Sequence, residues 1–149
     1  MDPKLYQEMY EIETTHWWFV GRRAILMDIL PRTVGRVPSL LDVGCGTGGN
    51  LPLLTKLAES VCGIDESEDA LRLFRSRAPG MRVLQGVFPD MAIREQFHVV
   101  SLLDILEHGD DTAALEKIRT LLVPGGYCII TVPAFAFLWS GHDRLAHHK

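Results

Sequence analysis

Three features of the sequence predict an α/β fold, a doubly wound parallel sheet with helices on both faces. Five short apolar runs alternate with stretches of helical spacing, the signature of repeated strand–helix–strand units. Gly44, Asp65, Gly86 and Asp104 all fall where such runs end, and right-handed crossovers bring those ends to one edge of the sheet. The first run leads straight into Leu41-Asp42-Val43-Gly44-Cys45-Gly46-Thr47-Gly48-Gly49-Asn50, where glycines alternate across a tight turn before helix-forming sequence begins.

Each element has its own signal. Residues 4–15 read as a helix with Leu5, Met9 and Ile12 at helical spacing. His16-Trp17-Trp18-Phe19, Gly21 and Arg22-Arg23 follow. A second helix is then predicted over 22–30, with Ile25, Leu26 and Ile29 inward and Pro31 as its stop. The first strand is 39–43. The helix at 50–58 tolerates Pro52 because a first turn needs no donor there. Residues 60–65 form the second strand, and Ser67 caps a helix over 68–77 with Leu71 and Phe74 inward. Residues 81–84 are a short third strand, and 97–103 suit a buried parallel strand. His98 falls near the start of that strand, away from the carboxyl edge. Asp110, Asp111 or Thr112 can cap a helix holding Leu115, Ile118 and Leu122. Pro124-Gly125-Gly126 breaks it, and 127–132 is the fifth strand.

Composition narrows the function classes. At 149 residues, 47% of them apolar, the chain suits one domain with a core. A net charge of −4 argues against a broad nucleic-acid footprint. No apolar run reaches membrane-spanning length, and Met1-Asp2-Pro3-Lys4 does not open a secretory signal. Cys45, Cys62 and Cys128 include no C-x-x-C pair, so reduced thiols and a cytoplasmic location are expected.

The glycine turn carries the chemistry. Glycine can take φ > 0 and let a ligand touch bare backbone, and the helix that follows points free N–H groups into the same space. Open α/β sheets hold adenosine-containing cofactors at this place. Gly44, Gly46 and Gly49 satisfy G-x-G-x-x-G, with Asp65 at dinucleotide-like spacing. An NAD-dependent oxidoreductase is therefore one reading. Asp42 favours another, because a carboxylate at the mouth of the site suits a cationic ammonium group better than a pyrophosphate.

From about residue 16 to the end, the chain resembles a class I S-adenosylmethionine-dependent methyltransferase. The resemblance rests on residues 40–50, Gly63-Ile64-Asp65, and 97–108 with Asp104-Ile105-Leu106-Glu107-His108. Leu121-Leu122-Val123-Pro124-Gly125-Gly126 completes it. His16-Trp17-Trp18-Phe19 and Arg22-Arg23 are similar to members acting on small molecules. The resemblance implies a Rossmann-like sheet in the order 3-2-1-4-5, with residues 1–36 as a helical cap and 37–149 as the S-adenosylmethionine-binding domain. It implies transfer of a methyl group to a small-molecule acceptor, with oxygen expected as the acceptor atom. A non-catalytic S-adenosylmethionine-binding fragment is the further alternative.

The same resemblance assigns roles. Gly44, Cys45, Gly46 and Gly48 would pass under the methionine part of the cofactor, and Asp42 would face its amino group. Asp65 would bind both ribose hydroxyls, with Glu66, Val87 and Phe88 around the adenine. Relatives often carry an acidic residue close to Val87, so backbone groups or Asp90 are expected to substitute. Leu103 and Asp104 would lie beside the methionine moiety. Trp18 and Phe19 could cover the cofactor or pin the helices to the sheet, and packing is the favoured reading of Trp17. Of the two arginines, Arg22 is expected to bind the cofactor carboxylate.

His108 is a candidate general base, or a residue packed under the cofactor. Cys45 is expected to serve fit, not nucleophilic chemistry. The tail residues His142, Asp143, His147 and His148 lack diagnostic metal spacing, and no metal is expected. Trp139 and His142 would line the acceptor pocket. The family sheet has seven strands and this chain supplies five, so an exposed sheet edge open to homodimerisation is expected.

Overall fold

The computed structural model describes residues 3–132. Two helices, α1 (Pro3–Ile12) and α2 (Trp17–Thr33), precede the sheet. There follow β1 (Val37–Val43), α3 (Leu51–Leu57), β2 (Ala58–Asp65), α4 (Glu68–Arg77), β3 (Arg82–Gln85) and β4 (Phe97–Leu103). A short 3-10 turn (Leu106–His108) leads to α5 (Asp111–Leu121) and β5 (Leu122–Thr131). All strand pairs are parallel, in the order β3-β2-β1-β4-β5, as the sequence predicts. Among the described residues no helix is long and apolar enough to cross a membrane.

Register explains the core. Leu40 pairs with Val61 and Val99, and these side chains share one face of the sheet. That face is packed by α3 and α4 through Leu53, Leu54, Leu71 and Phe74, with Leu30 of α2 joining them. Leu41 pairs with Cys62 and Val100 on the opposite face, where Ile118 and Leu121 of α5 close the core. The next row on the first face is Gly63, Asp42 and Ser101. A polar row thus follows the apolar one just before the strands end. The topology reverses between β2 and β4 on either side of β1, and this opens a crevice at the carboxyl edge.

Caps fall where the sequence places them at α4 and α5. Ser67 accepts from the Ala70 N–H and Asp110 from the Ala113 N–H. The two N-terminal helices differ from expectation. Leu5 and Ile12 are exposed, and α1 buries Tyr6, with Glu13 buried just past its end. α2 begins at Trp17 and runs through Pro31 to Thr33. Its inward residues are Arg23 and Leu30, with Leu26 and Met27 partly buried, while Ile25 and Ile29 face out. Trp17 is 74% exposed and touches only the rings of His16 and Trp18 among the aromatics, so it does not pin the helix to the described fold.

The last helix–strand junction also shifts. α5 stops at Leu121, and Leu122 already pairs with Phe97. Pro124-Gly125-Gly126 therefore does not end the helix. It forms an irregularity within β5, after which pairing resumes at Tyr127 opposite Val99. On α5 the buried positions are Ala114, Ile118 and Leu121, and Leu115 is exposed.

Phe74 is fully buried and supports both the sheet and the glycine turn, where a Cβ on Gly48 would come within 3.1 Å of its ring. Phe74→Ala should lower stability by about 3–5 kcal/mol. Ile25→Ala, at a position 62% exposed, should change it by less than about 0.5 kcal/mol. Urea unfolding of the two variants checks both values.

Candidate functional site

The floor of the crevice is the turn after β1. Gly44, Gly46 and Gly48 have φ of 67°, 53° and 85°, a left-handed alternation that side chains with a Cβ resist. Cys45 N–H donates to Ile64 O and Gly48 N–H to Cys45 O, so the turn is closed on itself and on β2. The space around these glycines differs. A Cβ on Gly44 would collide with Ile105, whereas one on Gly46 would meet nothing within 4 Å. Gly46 thus presents bare backbone to open space.

Two carboxylates bracket the turn. Asp42 is 3% exposed, and Ser101 Oγ donates to its Oδ1 at 2.7 Å. Burial pushes its pKa up to about 7, against the pull of Ser101 and the positive charge of Arg22; the charge of Asp65 adds to the rise. Asp65 accepts from Gly46 N–H through Oδ2 and from Ser67 N–H through Oδ1, both at 2.9 Å. Burial raises its pKa as well, opposed by those same hydrogen bonds. Burial also pushes the Cys45 thiol far up, so it remains protonated and unreactive.

The opposite rim is the end of β4. Asp104 has φ 58°, the one non-glycine residue at positive φ among those described. Thr131 holds it there: Asp104 N–H donates to Thr131 O and Oγ1 at 3.0 Å, and Thr131 Oγ1 donates to Asp104 Oδ1 at 2.7 Å. Arg22 forms an ion pair with Asp104 Oδ2 and donates to Asn50 Oδ1 at 3.0 Å. One guanidinium thereby ties α2 to both rims. Arg23 points elsewhere and donates to Gly49 O at 3.1 Å from a buried position. Phe19 lies against Arg22, with its ring centroid 5.7 Å from the guanidinium carbon. Trp17, Trp18, Gly21, Arg22 and Ile25 line an open groove beside it.

Other residues singled out in the sequence spread along the same edge. Glu66 is exposed, and its carbonyl accepts from Gln85. Val87 is exposed, while Phe88 packs on the core beside Met91. Asp90 is exposed. Leu103 is buried in the core. His108 ends the 3-10 turn that follows β4. His98 is the exception: near the start of β4, at the opposite edge, it bonds Ser39 through Nδ1 at 2.9 Å. Trp139, His142, Asp143, His147 and His148 lie outside the described residues, among which no cluster of three or more potential metal ligands occurs.

Sequence reasoning missed several partners. Ser101 and Thr131 read as ordinary strand residues. The buried Glu13 pairs with the half-buried Arg77, and Thr47 Oγ1 donates to Glu13. A signal for Glu13 existed, because Tyr6, Tyr10 and Glu13 share one helical stripe. A charge at the end of that stripe marks a buried partner.

Comparison with known proteins follows the same outline. The family model described as "Methyltransferase domain" matches residues 41–130. A dTDP-3-amino-3,4,6-trideoxy-alpha-D-glucopyranose N,N-dimethyltransferase of Streptomyces venezuelae is 32% identical over 137 residues, which cover 82% of this chain and 58% of that protein. A ubiquinone biosynthesis O-methyltransferase of Alkalilimnicola ehrlichii is 29% identical over 82% of this chain and 56% of its own length. Among solved structures, S-adenosylmethionine-bound CalS10, an amino pentose methyltransferase from Micromonospora echinaspora, aligns with a TM-score of 0.71 and 26% identity. That alignment covers 89% of this chain and 58% of that one. The chain spans about half the length of the curated relatives it matches.

The buried Asp42 makes stability depend on pH in a definite direction. Between the ordinary 3.8 and about 7, the folded protein keeps a proton that the unfolded chain releases. Stability therefore falls as pH rises through that window, and Asp42 adds no slope outside it. Asp42→Asn should match the parent near pH 4 and exceed it by more than about 1 kcal/mol at pH 8. Urea midpoints across a pH series would show no divergence if Asp42 ionises normally.

Proposed function

Because this chain belongs to the class I S-adenosylmethionine-dependent methyltransferases, we propose that its crevice binds S-adenosylmethionine and that it methylates a small-molecule acceptor, releasing S-adenosylhomocysteine. The observation that carries this reading is the left-handed turn at Gly46, open above its backbone and bracketed by Asp42 and Asp65. A methionine chain could lie on it without displacing a side chain.

The residues present fit the cofactor. Asp65 spends one lone pair of Oδ1 on Ser67 N–H and one of Oδ2 on Gly46 N–H. Each oxygen keeps capacity for one ribose hydroxyl. Asp42 supplies buried negative charge for the ammonium group, and a nearby cation would return its pKa toward the ionised range. Arg22, already between Asp104 and Asn50, would receive the cofactor carboxylate. Glu66, Val87 and Phe88 would flank the adenine. Leu103 would floor the methionine moiety, with Asp104 beside it. Gly44, Cys45 and Gly48 keep the turn low beneath it, and Trp18 and Phe19 would shield it from water.

When bound, the cofactor supplies an activated methyl group on a sulfonium. What remains for the protein is mainly positioning and exclusion of water. A base is needed only where the acceptor carries a proton, and His108 is our candidate for it. We assign residues 1–36 as the cap and 37–149 as the binding domain. The relatives' names include a nitrogen and an oxygen acceptor; we retain oxygen as the first acceptor atom to assay.

Isothermal titration with S-adenosylmethionine, S-adenosylhomocysteine and NAD tests the reading directly. Micromolar binding of the first two and none of NAD is the expected result; binding of NAD alone overturns it. Asp65→Ala should weaken S-adenosylhomocysteine by about 1–3 kcal/mol, roughly 5- to 150-fold. Unchanged affinity in a folded variant removes Asp65 from the site.

Gly46→Val tests the open turn. Its Cβ would project into the space a ligand needs, at a φ that valine resists. Loss of measurable S-adenosylhomocysteine binding is expected, and retained binding in the same titration would mean that the turn does not hug the ligand.

A further inference from the structure

We propose that Glu13, on the N-terminal segment, is a positioning residue for the cofactor: it holds the glycine turn in its binding shape through Thr47. The inference rests on the cofactor reading above and assigns a role to a residue outside residues 41–130, which the family model matches.

The turn is restrained from two sides. Cys45 is tied to Ile64, Gly46 to Asp65 and Gly48 to Cys45. Those three lie within the sheet and its first turn. The other three come from the N-terminal segment. The Thr47 hydroxyl donates to Glu13, Gly49 O accepts from Arg23, and the Asn50 side chain accepts from Arg22. Thr47, Gly49 and Asn50 are therefore held in part from outside the sheet.

Glu13 is the most committed of these anchors. It is 5% exposed, paired with Arg77 of α4 and hydrogen-bonded by Thr47. A Cβ on Gly49 would collide with its carboxylate, so the turn closes around it. Burying a charge is costly unless it is fully paired. Attachment of α1 alone would not require one. Tyr6 is already buried, and Arg77 donates to Tyr10 O at 2.7 Å while stacking 4.2 Å from the Tyr10 ring centroid. What the carboxylate adds is an acceptor aimed at Thr47, one residue past the open backbone of Gly46.

The effect should be confined to the part of the ligand over the turn. S-adenosylhomocysteine carries the amino-acid end, and 5′-deoxy-5′-methylthioadenosine lacks it. Glu13→Leu, which leaves Thr47 no acceptor, should raise the Kd of the first at least tenfold and that of the second less than twofold, measured by calorimetry on the intact chain. Thr47→Val removes the same hydrogen bond, leaves the Glu13–Arg77 pair in place, and should reproduce the selective loss even if Glu13→Leu does not fold. Unchanged S-adenosylhomocysteine affinity, or equal weakening of both ligands, overturns the positioning role in favour of a merely structural one. Failure of the unmutated chain to bind either ligand would overturn the cofactor reading itself and this role with it.

Discussion

The turn between β1 and α3 is the constraint on which the rest of the structure depends. Three alternating residues at positive φ bring the backbone low over the strand ends, and among the described residues no atom lies within 4 Å of where a Cβ on Gly46 would be. Such a turn gains little packing of its own, from Cys45 and Thr47. Its shape must be imposed by neighbours. Phe74 and Leu51 press from below at Gly48, Ile105 crowds Gly44, and Cys45 Sγ sits where a Cβ on Gly63 would come within 2.7 Å. The glycine at 63 in β2 is thus a consequence of the glycines at 44 to 48. Only a strand residue without a Cβ lets the turn lie this close to the sheet.

Electrostatics follow from the same geometry. A turn this close to the sheet leaves Asp42 buried beneath it, so its carboxyl is costly to ionise. Asp65 sits higher and offsets part of that cost by accepting two backbone N–H groups. The two acids thus bracket one ligand space, both with pKa values raised above the ordinary range. A site of this kind gains when a cation enters, because each acid becomes easier to ionise. A pyrophosphate would find the opposite. The glycine pattern alone admitted both ligands; a carboxylate at Asp42, ionisable beside an incoming cation, is the physical reason to prefer the cationic one.

How much was legible in the sequence depended on whether an element buries apolar groups. The five strands and α4 were readable, since apolar runs and an N-cap serine report directly on sheet burial and helix start; the strand order came from the family resemblance. The glycine turn and Asp65 were readable for a related reason: backbone strain and a strand-end carboxylate leave a local mark. The ends of α2 and α5 were misread where proline and glycine were taken as breaks. Pro31 sits in the last turn of α2, where it forfeits its own N–H bond but only two helical residues follow it. Pro124 lies in β5 on the edge of the sheet, where a missing donor is tolerated. The Arg22–Asp104 and Glu13–Arg77 pairs were beyond reach, because each joins residues more than sixty positions apart.

α2 shows why polar anchoring hides from pattern reading. Successive residues of a helix point about 100° apart. Arg22 can therefore reach the crevice rim while Arg23 reaches the back of the glycine turn. A helix whose inward face carries guanidinium groups gains its attachment from hydrogen bonds and ion pairs, so its apolar residues are free to lie elsewhere. Ile25, Ile29 and Val20 accordingly face out, and an inward stripe inferred from them points the wrong way. The same exchange explains the site. Had α2 been attached by an apolar stripe, Asp104 would lack its counter-charge and the Gly49 carbonyl its donor. The helix is held by the groups the crevice needs, and attachment of the N-terminal segment and shaping of the turn are one set of interactions.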